Sequence, residues 1–143
     1  MKQDDAQMLQ EIQKNTSMAL KAIATVSEYV HDASFARELH GQSRVLQNIR
    51  NRAVDRLLEE REEIHQNSVI NELLLSGNIH VNTLVNTSTA RIAEVMIRGN
   101  QRGMTGIWKA MNHFGNAGKE TVELAKELTD FETECIEKMR SYL

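Results

Sequence analysis

No proline interrupts the 143 residues of this chain. Proline removes a backbone donor and clashes with the preceding helical turn, so its absence leaves long helices unbroken. Apolar residues recur three and four apart almost from end to end, the helical period. The spacing predicts an all-α fold: an antiparallel up-and-down four-helix bundle, with a short extra helix before a long third core helix. The length is that of one domain, and residues 1–143 are read as a single bundle.

The first helix is expected over about Asp5–Val30, with Leu9, Ile12, Thr16, Ala19, Ile23, Val26 and Val30 as its seam. His31–Ser34 breaks it, and Asp32 or Ser34 caps the next helix. The second is expected over about Phe35–Glu63, with Phe35, Leu39, Gln42, Leu46, Ile49, Ala53 and Leu57 inward. Its charged end, Asn51–Arg61, reads as solvated. From Val69 to Phe114 small or apolar residues step by three and four, through Ile92, Val95, Gly99, Gly103, Gly106 and Ala110. A single rod of that length would overhang its partners, so a break is expected within Asn78–Ser88, leaving a short flanking helix over Val69–Ile79. After the turn Phe114–Gly118, the last helix is expected over about Lys119–Tyr142, with Val122, Leu124, Leu128, Phe131, Cys135, Met139 and Tyr142 inward.

Gly99, Gly103 and Gly106 allow two readings, a loop or a helix face of small residues. The unbroken period on both sides favours a helix, in which the three glycines admit a close helix neighbour. Met104, Trp108 and Met111 then either form a candidate interface, since Met and Trp suit contact surfaces, or cover the flanking helix Val69–Ile79. Arg91, Arg98, Arg102 and Lys109 fall within about 20° of one line on the helical wheel. Glu120, Glu127 and Glu134 recur every seven residues on the last helix. Folding about the glycine turn is expected to set Lys109 near Glu120, Arg102 near Glu127 and Arg98 near Glu134 as a salt-bridge ladder.

Composition narrows the function. Aromatics make up 4% and the net charge is −3, which argues against a nucleic-acid surface. No apolar run approaches a membrane span. The single cysteine leaves no internal disulfide, and with no signal-peptide pattern a cytoplasmic setting is expected.

A four-helix bundle invites the di-iron test, which needs two inward Glu and two inward Glu-x-x-His motifs. Two such motifs occur, Glu28–His31 and Glu62–His65, but at helix ends and off the seams. The inward faces of the first and last helices are read as free of carboxylates. His40, His80 and His113 are scattered, Cys135 reads as a buried small hydrophobe, and Gln42 as a core amide that needs partners. No catalytic residue, metal ligand or cofactor is assigned.

Ser88-Thr89-Ala90-Arg91-Ile92-Ala93-Glu94-Val95-Met96-Ile97-Arg98-Gly99 and Arg102-Gly103-Met104-Thr105-Gly106-Ile107 resemble a motif of small uncharacterised helical proteins of Gram-positive bacteria. The closing Ile136–Leu143 is similar to that family's ending. The resemblance implies a ferritin-like bundle and carries no activity. The family often has His where this chain has Arg91, so no ligand role passes to that position. The reading that follows is a non-enzymatic bundle working through protein contacts, expected to be a homodimer on the Met104/Trp108 side. The alternative is a ferritin-like bundle that binds a metal or small ligand at a non-standard site.

Overall fold

The computed structural model describes residues 2–64 and 88–143. Four α-helices make up the described fold: α1 (Gln3–Ser27), α2 (Ala33–Glu59), α3 (Thr89–His113) and α4 (Lys119–Met139), the last closing in a 3₁₀ turn at Arg140–Tyr142. The expected flanking helix over Val69–Ile79, with His65 and His80, lies outside the described residues.

The helix starts follow capping chemistry. Asp32 accepts a hydrogen bond from the Phe35 amide at 2.8 Å, and Ser88 does the same for Arg91 at 3.2 Å. Each satisfies a donor that a helix N-terminus leaves open. Ser88 thus starts α3, while the rest of the break expected within Asn78–Ser88 lies outside the described residues. The end of α2 was not legible in the same way. It stops at Glu59, four residues before the expected Glu63. Arg61 turns left-handed there, with φ 57°, and the Glu62 amide reaches back to the Leu57 carbonyl at 2.8 Å. This is the six-to-one bond of a Schellman stop, with arginine where glycine is usual. Without a glycine in the sequence, nothing announced it.

Long-range hydrogen bonds fix the helix directions. Ser17 of α1 accepts from Arg50 of α2, and Gln10 donates to the Glu63 carbonyl. Asn15 of α1 donates to Gly103 of α3, while Asp5 accepts from Gly118 beyond the end of α3. Arg52 and Arg56 of α2 reach Glu127 and Thr121 of α4. Every one of these pairs runs antiparallel. The order along the chain is therefore up, down, down, up, whereas a strictly up-and-down chain would alternate. α2 ends at the end of the bundle where α1 begins, and α3 starts at the opposite end.

The core is one continuous cluster. All seven seam residues expected on α2, Phe35 through Leu57, are buried, as are Leu9, Ile12, Thr16, Ile23 and Val26 on α1. A fully buried Leu, Ile or Phe contributes about 1.5–3 kcal/mol by leaving water. Phe35 also stacks on Tyr142 at 4.7 Å between ring centres, tying the start of α2 to the end of the chain.

On α3 the core face departs from the expected one. Ile92, Ala93, Met96, Met104, Ile107 and Ala110 are buried, whereas Gly99 and Gly106 are exposed. The helix does run unbroken through all three glycines. Close packing, however, belongs to Gly103 alone. A Cβ there would lie 2.9 Å from Asn15 and 3.0 Å from Glu132, while at Gly99 and Gly106 it would meet nothing within 4 Å. Treating the glycines as core positions rotates the inferred face toward them. Large apolar side chains bury more area per residue and set the true face.

Candidate functional site

That rotation rearranges the predicted contacts. The basic stripe lies roughly 150° from the buried face of α3 at 100° per residue, so it points outward and away from α4. Arg98 pairs with Glu94 of its own helix at 2.7 Å, as does Arg91 at 2.9 Å. Glu127 takes Arg52 of α2, with two bonds of 2.8 Å. Among the described residues no ion pair joins Arg98, Arg102 or Lys109 to Glu120, Glu127 or Glu134, so the ladder does not form. Through its hydrogen bonds Arg52 holds the Glu127 carboxyl below its ordinary range. Both side chains are about half exposed, 47% and 48%, so the pair contributes at most about 1 kcal/mol. The stretch read as solvated, Asn51–Arg61, is largely exposed, yet Arg52 and Arg56 reach across from it to α4, and Arg50 just before it reaches α1.

The candidate interface divides as well. Met104 is buried, with its sulfur accepting from the Thr133 hydroxyl at 3.2 Å. Met111 is half-buried against the core. Trp108 alone of the three stands out, 50% exposed.

Two inward carboxylates went unseen in the sequence. Asp5 of α1 is buried and accepts from the Gly118 amide at 2.6 Å, capping α4 from another helix. Beside it Asp4 accepts from Asn116 at 3.0 Å. Glu132 of α4 is 2% exposed. It occupies the seam Thr121, Ala125, Leu128, Glu132, Cys135 and Met139, a strict alternation of four and three whose members are all buried. Leu124, Leu128, Cys135 and Met139 of the expected seam are buried, and Val122 and Phe131, chosen for their hydrophobicity, stand one position aside. Both are only half-buried.

Glu132 therefore defines a polar junction inside the bundle where α1, α3 and α4 meet. Its two oxygens lie 3.0 and 3.2 Å from where a Gly103 Cβ would be. Asn15 holds the Gly103 carbonyl at 2.9 Å from the α1 side. Among the described residues Oε2 of Glu132 has no hydrogen-bond partner, nor does the buried Nδ2 of Asn100, one turn earlier on α3. Burial pushes the carboxyl up to about 8, so it carries its proton at neutral pH. A neutral acid inside a bundle is a proton store. It is no general acid for a substrate in solution, because nothing in water reaches it with the helices closed.

Other candidates hold less chemistry. Burial pushes the Cys135 thiol up to about 12, which keeps it a packed apolar group and not a nucleophile. Gln42 is buried and finds its partner in Glu38 at 3.1 Å. His31, His40 and His113 are exposed. His40 borders a groove of about 380 Å³ between α1 and α2, floored by Leu20, Ile23 and Ala24, with no second titratable group.

The di-iron set does not fit the described residues. Glu132 stands without a second ligating side chain, Asp5 is committed to Gly118, and no group of three His, Cys, Asp or Glu gathers among the described residues. No helix among the described residues is long and apolar enough to cross a membrane. No family model, curated protein or solved structure matches the chain.

Proposed function

We propose that this chain is a non-enzymatic helical bundle that works through protein contacts, made on the outer face of α3. The observation that carries this reading is Trp108, half exposed on an otherwise polar helix face. A Trp contributes large, rigid contact area, and such residues dominate interface energetics. The expected homodimer belongs to the same proposal, narrowed from Met104, Trp108 and Met111 to Trp108. So do a cytoplasmic setting, in keeping with the single protonated thiol, and a ferritin-like kinship. The kinship is supported by the order up, down, down, up, since ferritin-like bundles likewise depart from a strictly alternating order.

The test is a photoreactive amino acid placed at position 108 in cells, with a control at exposed Lys21 on α1. Protein adducts at 108 and none at 21 are expected. Equal labelling at both, or none at either, would sink the reading.

A second reading is a metal held at Glu132 or a small polar ligand that accepts from the Asn100 amide, since Oε2 of the first and Nδ2 of the second lack a partner among the described residues. Metal analysis of tag-free protein separates the two. Stoichiometric iron, manganese or zinc that is lost in Glu132→Gln would replace the first reading with the second.

A further inference from the structure

The outer faces of α3 and α4 carry opposite charge. On α4, Glu120, Glu123, Glu127, Asp130, Glu134 and Glu137 are all exposed and step by three and four; Glu123, Glu127 and Glu137 pair with Lys119, Arg52 and Arg140, and Glu120, Asp130 and Glu134 make no ion pair among the described residues. They form one acidic stripe down the helix. On α3, Arg91, Arg98, Arg102 and Lys109 form the exposed basic stripe, and Arg102 and Lys109 make no ion pair among the described residues. Trp108 lies between the stripes. It follows Met104 by one helical turn, and Met104 touches Thr133, so Trp108 is on the α4 side of α3.

We infer that the partner is a second copy of this chain, seated so that α3 of each copy lies on α4 of the other. This rests on the protein-contact reading and adds its geometry. Two copies meeting face to face across this helix pair have two simple two-fold arrangements. An axis across the helices stacks α3 on α3, basic stripe on basic stripe. An axis along the helices stacks α3 on α4, basic on acidic, twice by symmetry.

The second arrangement also sets the heights. Rotation about an axis along the helices changes no height, so residues level within one copy meet between copies. Met104 is level with Thr133. Counting in opposite directions from that pair brings Arg102 beside Glu134 of the second copy and Lys109 beside its Asp130, four groups with no ion pair inside one copy among the described residues; Arg98 and Glu137 also come level, each holding Glu94 or Arg140 of its own copy. The two Trp108 rings come level with each other on either side of the axis, forming the apolar centre inside two charged rims. The footprint suffices: about 30 Å of shared helix length by about 20 Å of width gives roughly 600 Å² per copy, close to the ~800 Å² of a standard interface.

Opposed charges of this kind set register and partner choice more than affinity. The test is therefore charge exchange, read as mass by sedimentation. Wild type is expected as a dimer. Arg102→Glu and Glu134→Arg should each run at half that mass, because each sets two like-charge pairs across the axis. Mixed one to one, the two variants should recover the dimer mass as a heterodimer, since every pair is then opposite. Both residues are exposed, so circular dichroism should show unchanged helix in each variant. A monomeric wild type would overturn the inference, as would single variants that still dimerise or a mixture that stays monomeric. If the wild type is monomeric and a probe at position 108 still captures a different protein, the second copy is excluded while the protein-contact reading stands. If neither occurs, both fail.

Discussion

A single buried carboxyl makes the stability of this bundle depend on pH in an unusual direction. Unfolded, Glu132 ionises at its ordinary 4.5; folded, at about 8. Below the lower value both states are protonated and the group adds no pH dependence. Between the two, folding must take up a proton, so stability falls as pH rises. The slope approaches about 1.4 kcal/mol per pH unit, on the order of 4–5 kcal/mol in all, and levels off above the folded value. Urea unfolding from pH 5 to 9 is expected to show this decline, and Glu132→Gln to remove most of it. A variant as pH-dependent as wild type would place the carboxyl in water. Asp5 is the contrasting case, a buried acid whose oxygen accepts from the Gly118 amide. Asp5→Ala should cost about 1–2 kcal/mol at neutral pH, the loss of an N-terminal cap, measured by thermal or urea melts. Neither acid was legible as inward. Residue type argued for the surface, and only the strict alternation from Thr121 to Met139 marks Glu132.

Helix identity was legible throughout the described residues, because it depends on period and on missing proline. Helix rotation was legible where seam residues are large. On α2 every seam position is where the pattern put it; on α3 the pattern followed glycine and lost the face. This error has a measurable counterpart. Gly99→Ala and Gly106→Ala should each stabilise by about 0.5–1 kcal/mol, since a methyl group there meets open space and helix propensity improves. Gly103→Ala should destabilise by about 1–3 kcal/mol, and Gly103→Leu by more, because Asn15 and Glu132 occupy the volume. Three glycines that melt alike on substitution would remove the close approach of α3 to α1 and α4. At the end of α2, Arg61→Gly should add about 1 kcal/mol, glycine being free of the strain that arginine bears at φ 57°. Equal melting temperatures for Arg61→Gly and wild type would mean that the left-handed turn is absent in solution.

At the scale of the whole molecule, charge placement is as informative as the core. Arg52 and Arg56 of α2, in the stretch read as solvated, bind across to α4, and the α3 stripe read as internal glue faces out. A rotation of one helix separates those two pictures, and sequence period cannot resolve a rotation smaller than the width of an apolar stripe. The order up, down, down, up has a consequence for synthesis. α1 and α2 pack on each other, and both leave the ribosome early. The contacts that complete α1 come late: Gly103 for Asn15, and Asn116 and Gly118 for Asp4 and Asp5. Translation at about 5–20 residues per second therefore leaves the nascent hairpin waiting several seconds with Leu9, Ile12 and Ile49 uncovered on one side. Nascent chains arrested before Gly103 should be bound by a chaperone that grips apolar helices, and chains released past Met139 should escape it.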